Sequence, residues 1–271
     1  MPIGELRSEW MRGRNRPVEK YAAIVVLVLG TLIPVVMILV SSRNAAIRRS
    51  AIDTLAFPSS VRAARTMALL LGPFWAAALG ANVVGAEYQY GTWPWLLVRS
   101  TNRLRLVIVK VLAMSARIVA LTLLGIFVFV ATAAGVCLVV GAPAVMWSTE
   151  TASVQELLVP FISVAGAMAF AAAIGLTITI ASRSVAFGAL MGALAQPFFM
   201  AIRFKETARW IPYVHLQNIE ERLLTGRPGT FLARFLDFDM SARASAGVLG
   251  VELLVLLAIA YLVFRRQEIV Y

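Results

Sequence analysis

Two uncharged apolar stretches, Tyr21 to Ser42 and Thr66 to Ala86, set the strongest limit on how this chain can fold. A helix rises about 1.5 Å per residue and a bilayer's hydrocarbon core is about 30 Å thick, so about 20 apolar residues cross it. Four further runs reach that length: Ile118 to Val140, Leu157 to Ser182, Ser184 to Ile202 and Ala244 to Phe264. Backbone polar groups find no water in lipid, so such runs must close their hydrogen bonds internally as helices. The expectation is an all-α membrane protein of six transmembrane helices, forming one domain over residues 1–271. Arg183 alone separates the fourth and fifth runs, which predicts a tight hairpin.

Composition agrees: 60% of the residues are hydrophobic and 14% charged, and the mean hydropathy is +0.82. The net charge of +11 is scattered between the apolar runs. Anionic lipid headgroups fit that pattern better than nucleic acid, which calls for a basic domain or face. Residues 1–20 place Ile3, Leu6, Trp10 and Met11 at helical spacing against arginines, as in an interfacial amphipathic helix that Pro17 would end. A frayed basic tail is the plainer reading. These residues lack the apolar core of a cleavable signal. Leu104 to Arg117 extends the third span on its N-terminal side, with Arg117 placed to snorkel.

Several chemistries are excluded. A phosphate-binding loop needs a lysine after glycine, and Lys20, Lys110 and Lys205 follow Glu19, Val109 and Phe204. The sole histidine, His215, cannot supply a zinc-protease motif, and it reads as a surface or interface residue beside Tyr213 and Gln217. No span contains an aspartate, and the lone Cys137 sits in an apolar run as a small hydrophobe. No catalytic residue, metal site or cofactor is expected in this chain.

The richest stretch is Glu87 to Lys110, EYQYGTWPWLLVRSTNRLRLVIVK. Glu87 follows the second apolar run and opens a short helix-like segment, where an acid gains from the helix dipole. Gly91-Thr92 and Pro94 interrupt it. Leu96, Leu97 and Val98 precede a basic turn through Arg99, Ser100, Asn102 and Arg103, built from residues that let a chain reverse. Trp93 and Trp95 are also of the type that anchors at membrane interfaces.

This order of Glu, Gly-Thr, a leucine pair, a basic turn and Lys110 resembles the permeases of type-two ATP-binding-cassette transporters. The resemblance runs from the N-terminal helix through six spans. It implies that residues 87–103 form a cytoplasmic coupling helix docked on a separate ATPase, with Glu87, Tyr88, Tyr90, Gly91, Thr92, Trp93, Trp95, Leu96, Arg99 and Arg103 at the contact. It further implies two copies of the ATPase holding ATP and Mg, a second permease copy as homo- or heterodimer, and export of an amphipathic or hydrophobic drug, peptide or lipid-like cargo. The setting would be a bacterial cytoplasmic membrane with the N-terminus inside. The positive-inside count, 13 Lys and Arg on one side and 12 on the other, is silent on orientation. A non-transport scaffold or assembly subunit of the same topology is the rival.

Three other features stand out. Gly188-x-x-x-Gly192 allows close helix approach, at a dimer seam or within the subunit. Gln196-Pro197 would kink the fifth span or bend its end. Glu252 is an acid inside the sixth apolar run, costly there unless it faces a translocation path or reaches the interface. Between spans five and six, residues 203–243 form an external insertion with an amphipathic stretch, His215 to Leu224, and a turn at Gly226 to Gly229. The connection from Arg43 to Arg65 carries Leu55 to Pro58, which would rest on the membrane surface.

Overall fold

The computed structural model of the chain describes residues 17–42, 44–99, 102–141, 154–201, 210–225 and 240–267. The expected surface helix before Pro17, the turn residues Ser100 and Thr101, the Gly226 to Gly229 turn and much of the 203–243 insertion lie outside them. The described elements are helical: α1 Pro17–Ser41, α2 Ala45–Leu55, α3 Ser59–Gln89, α4 Trp93–Arg99, α5 Arg103–Val139, α6 Val154–Ser182, α7 Val185–Ala201, α8 Pro212–Thr225 and α9 Ala242–Arg266. Five are long and apolar enough to cross a membrane: α1, α3, α5, α6 (from Leu157) and α9. At 17 residues, α7 is apolar but shorter. Its rise is only about 25 Å.

The centre of the bundle is the contact of α3, α6 and α7, and small residues make it possible. A Cβ added to Gly80 would run into the carbonyl oxygen of Ala172, and one added to Gly175 would lie 2.6 Å from the carbonyl oxygen of Ala77. The backbones of α3 and α6 therefore touch, running in the same direction from Gly72 beside Met168 to Gly85 beside Thr179. Lipid tails are as apolar as leucine, so this close packing holds the helices where burial alone would not. Between α6 and α7, Ser182, Arg183 and Ser184 make the tight turn, with Arg183 in the left-handed region at φ 57.

Around this centre α1 runs alongside α5, with Gly30 against Val128 and Gly125 against Val26. At one end of the pair Arg117 and Glu19 form an ion pair of 2.8 Å, both largely buried. Arg117 thus has a protein partner in place of the snorkelling expected for it. At the other end Asn44 caps α2, its side chain accepting from the Ala46 and Ile47 amides. Leu55 and Ala51 pack with Ile38, Ala64 and Phe129. Leu55 and Ala56 are therefore buried against the bundle, with Phe57 and Pro58 half-buried beside them. Between the α1/α5 pair and α3 remains an apolar cavity of ≈ 60 Å³, bounded by Gly30, Met67, Trp75, Gly125, Phe129 and Met168 among others.

α3 begins seven residues before the expected span, so Arg62 and Arg65 are helical. Arg65 is balanced by Glu220 of α8 at 2.6 Å. The α8 helix is sunk into the bundle: His215 and Asn218 are fully buried, as are Val214 and Ile211 nearly so. Asn218 donates to Ser245 Oγ and to the Met240 carbonyl, each at 2.8 Å. His215 is thus a core residue within this chain, not a surface one, because α6 and α9 pack against α8.

Candidate functional site

At the end of the bundle where α3, α6 and α9 finish, the chain turns from α3 into the short helix α4 through Tyr90, Gly91 and Thr92. α3 continues through Glu87 to Gln89, so Glu87 belongs to the last turn of a long helix. This corrects the expectation that Glu87 opens a new helix and gains from an N-terminal dipole. The helix can run past the apolar stretch because Lys110 of α5 meets Glu87 Oε1 at 3.0 Å and neutralises it. Lys110 also donates to the Val83 carbonyl at 3.2 Å and stands over the Trp93 ring at 5.7 Å. The Thr92 hydroxyl donates to the other carboxylate oxygen of Glu87, and the Thr92 amide to the Glu87 carbonyl at 3.0 Å. Gly91, at φ 61, takes the left-handed conformation that ends a helix and that a side chain would oppose.

Behind the turn α4 begins with Trp93, 2% exposed. Its ring lies between Tyr88, with centroids 5.6 Å apart, and Phe264 of α9, 4.6 Å apart. After α4, Asn102 caps α5, accepting from the Arg105 amide at 3.2 Å. Arg103 then reaches the end of α9, donating to the carbonyls of Phe264, Arg265 and Gln267 at 3.4, 3.1 and 3.3 Å. A cation there satisfies the orphan carbonyls and the negative end of the helix dipole. The Gln267 amide completes the junction: its oxygen accepts from the Tyr88 hydroxyl and its nitrogen donates to the Ile180 carbonyl of α6.

The elbow therefore has two layers. Glu87, Thr92, Trp93 and Arg103 point into protein, with Tyr88 and Leu96 half-buried against the core. Tyr90 and Trp95, each 74% exposed, stand out from it beside exposed Gly91. Arg99 lies at the end of α4, its side chain outside the described set. Lys110, Phe264, Gln267 and Ile180 complete the junction and were not among the expected contact residues. Lys110 carried a local sign, being a cation inside LVIVKVLAM, whereas nothing near Phe264 or Gln267 marks them.

The other expected residues lie apart. A Cβ on Gly188 would strike Thr179, and one on Gly192 would lie 2.9 Å from Ala77 and from Gly175, so both glycines pack within their own chain. Gln196 is on α7, with its side chain outside the described set. Glu252 lies near the middle of α9, in helical register with Leu249 and Leu256 of the core-facing stripe. One of its carboxylate oxygens is buried without a hydrogen-bond partner among the described residues. Those residues contain no group of three or more His, Cys, Asp or Glu arranged to hold a metal ion.

Residues 8–199, more than half of the chain, match the family described as ABC-2 family transporter protein. The chain belongs to the ABC-2 transporter family. The match takes in α1 to α6 and nearly all of α7, and so the Glu87–Lys110 pair; α8 and α9 of this ABC-2 transporter chain lie beyond it. Among curated proteins, none matches the sequence.

Proposed function

We propose that this ABC-2 chain is the membrane-spanning permease of an ATP-driven exporter, and that its elbow is the coupling helix on which a separate cytoplasmic ATPase docks. The observation that carries the reading is the two-layered elbow: Tyr90 and Trp95 exposed on a base that ion pairing and aromatic packing hold in place. Exposed tryptophan and tyrosine on a rigid support are the residues that dominate protein–protein contacts. On this reading the elbow end faces the cytoplasm of a bacterial cell, and α7 serves as a sixth, short span. Two permeases, identical or not, would pair with two ATPases holding ATP and Mg. Their seam would use α1 and the outward face of α7, Phe187, Leu190 and Leu194, which are exposed.

Closure of the ATPases would push the elbows and tilt the spans, closing a site on one side and opening it on the other. Glu252 and Gln196 would line the route of a hydrophobic or amphipathic cargo. The test is purification of the tagged chain in mild detergent, with mass spectrometry of whatever accompanies it and measurement of ATP hydrolysis. The expected result is an associated ABC ATPase that Trp95→Ala or Tyr90→Ala releases. A wild-type chain that retains no ATPase, or one whose ATPase binds elsewhere, favours a scaffold or assembly subunit of the same topology.

A further inference from the structure

The elbow is tied to α9 more elaborately than a simple docking loop requires. Arg103 holds three carbonyls at the α9 terminus, Phe264 packs under Trp93, and Gln267 bridges Tyr88 of α3 to the Ile180 carbonyl of α6. Along its length, by contrast, α9 is the least buried of the five long apolar helices. Val251, Leu254, Val255, Ile259 and Leu262 all face outwards. At its far end the Asn218–Ser245 hydrogen bond to α8 fixes it again. Between these ends α9 meets the bundle along one face only, where Leu249 and Ala260 enter the core and the Thr177 hydroxyl of α6 donates to the Leu256 carbonyl at 3.4 Å, and a rod held in this way follows its grips. A helix buried like α3, with its backbone against α6, cannot shift without breaking many contacts at once.

We propose that α9 is the helix the elbow drives, with Tyr88, Arg103 and Gln267 as positioning residues that pass the elbow's displacement to its end. Resting on the reading of the elbow as an ATPase-docking site, this adds the route by which movement leaves it. Because a helix is stiff, displacement at Gln267 carries Glu252, about 22 Å along the same axis, with it. The transmission runs through residues on both sides of the family-matched segment's end: Tyr88 and Arg103 lie within it, Phe264 and Gln267 beyond it.

The test uses the permease with its co-purified ATPase in lipid nanodiscs, comparing hydrogen exchange with and without ATP and vanadate. Peptides covering 87–96 report the elbow and peptides covering 259–267 report the end of α9. In the wild-type complex both regions should change exchange on nucleotide trapping. In Gln267→Ala and in the milder Tyr88→Phe, the elbow response should remain and the α9 response should be lost or clearly reduced. A purely structural role would alter exchange at 259–267 equally in both nucleotide states and leave the difference between them intact. That outcome overturns the proposal, as does a wild-type elbow that responds while α9 stays silent. Should the elbow itself show no response, the docking reading falls and this proposal falls with it.

Discussion

Glu87 on α3 and Lys110 on α5 form an ion pair of 3.0 Å with side chains 8% and 1% exposed. Two charges hidden in this way stand only as a pair, since removing one leaves the other buried and uncompensated. Glu87→Ala or Lys110→Ala should each cost on the order of 3–5 kcal/mol, whereas a paired replacement by apolar residues of similar size is often nearly neutral. Thermal unfolding in detergent should therefore rank Glu87→Leu with Lys110→Met above either single alanine variant. If the double variant is the least stable of the three, the links of the pair to Val83, Thr92 and Trp93 outweigh the ion pair itself.

Trp93 and Trp95, two residues apart, should behave oppositely. Trp93 fills the space between Tyr88 and Phe264, and a buried tryptophan cut to alanine loses about 3–5 kcal/mol. Trp95 touches little within the chain, so Trp95→Ala should leave the melting temperature close to wild type while releasing the ATPase. Fluorescence-detected thermal melts and a pull-down on the same two variants give the comparison, and equal loss of stability in both would count against the two-layered elbow.

Two glycines test the packing of the bundle centre. Gly80 faces the Ala172 carbonyl with no room for a methyl group, while Gly250 on α9 has nothing within 4 Å of its added Cβ among the described residues. Overpacking costs about 1–3 kcal/mol, so Gly80→Ala should destabilise by that order. Gly250→Ala should be neutral or gain about 0.5–1 kcal/mol from reduced backbone freedom. Thermal unfolding of the two variants should separate clearly, and a tolerated Gly80→Ala would mean that α3 and α6 are further apart than described.

Arg65 and Glu220 join α3 to α8 at 2.6 Å, with Arg65 partly open to solvent. Charge reversal at either position places like charges together, and exchanging both restores the attraction. A double-mutant cycle of Arg65→Glu and Glu220→Arg should yield a coupling of about 0.5–3 kcal/mol. Additive single effects would show that α8 is held by its apolar residues and by Asn218, without help from this pair.

The long helices were legible because length and absence of charge need no knowledge of neighbours. Tyr21 to Ser42 and Ala244 to Phe264 fall almost residue for residue on α1 and α9, and the extension from Leu104 to Arg117 is continuous with α5. What went unread depends on partners distant in sequence. A carboxylate after an apolar run looks like the opening of a new helix, and Glu87 instead belongs to the last turn of α3, where its partner Lys110 lies 23 residues on. Arg65 is helical with a partner 155 residues away, and the polar stripe of α8 looks solvated until α3 and α9 are placed against it. At the elbow, the turn residues announced a reversal. Only the fold divides its aromatics into a buried Trp93 and an outward Trp95.

The contact of α3 with α6, backbone against backbone, differs in kind from the boundary of α3 with α1 and α5, which Glu87 and Lys110 tie at one end and which opens into an apolar gap further along. Touching main chains resist both sliding and spreading, while a gap walled by methionine, phenylalanine and glycine can widen or narrow by rotamer changes alone. The molecule is thus anisotropic in its compliance: stiff across one boundary, soft across the other. A squeeze on the surrounding bilayer, from thickness or lateral tension, would be taken up first at the soft boundary.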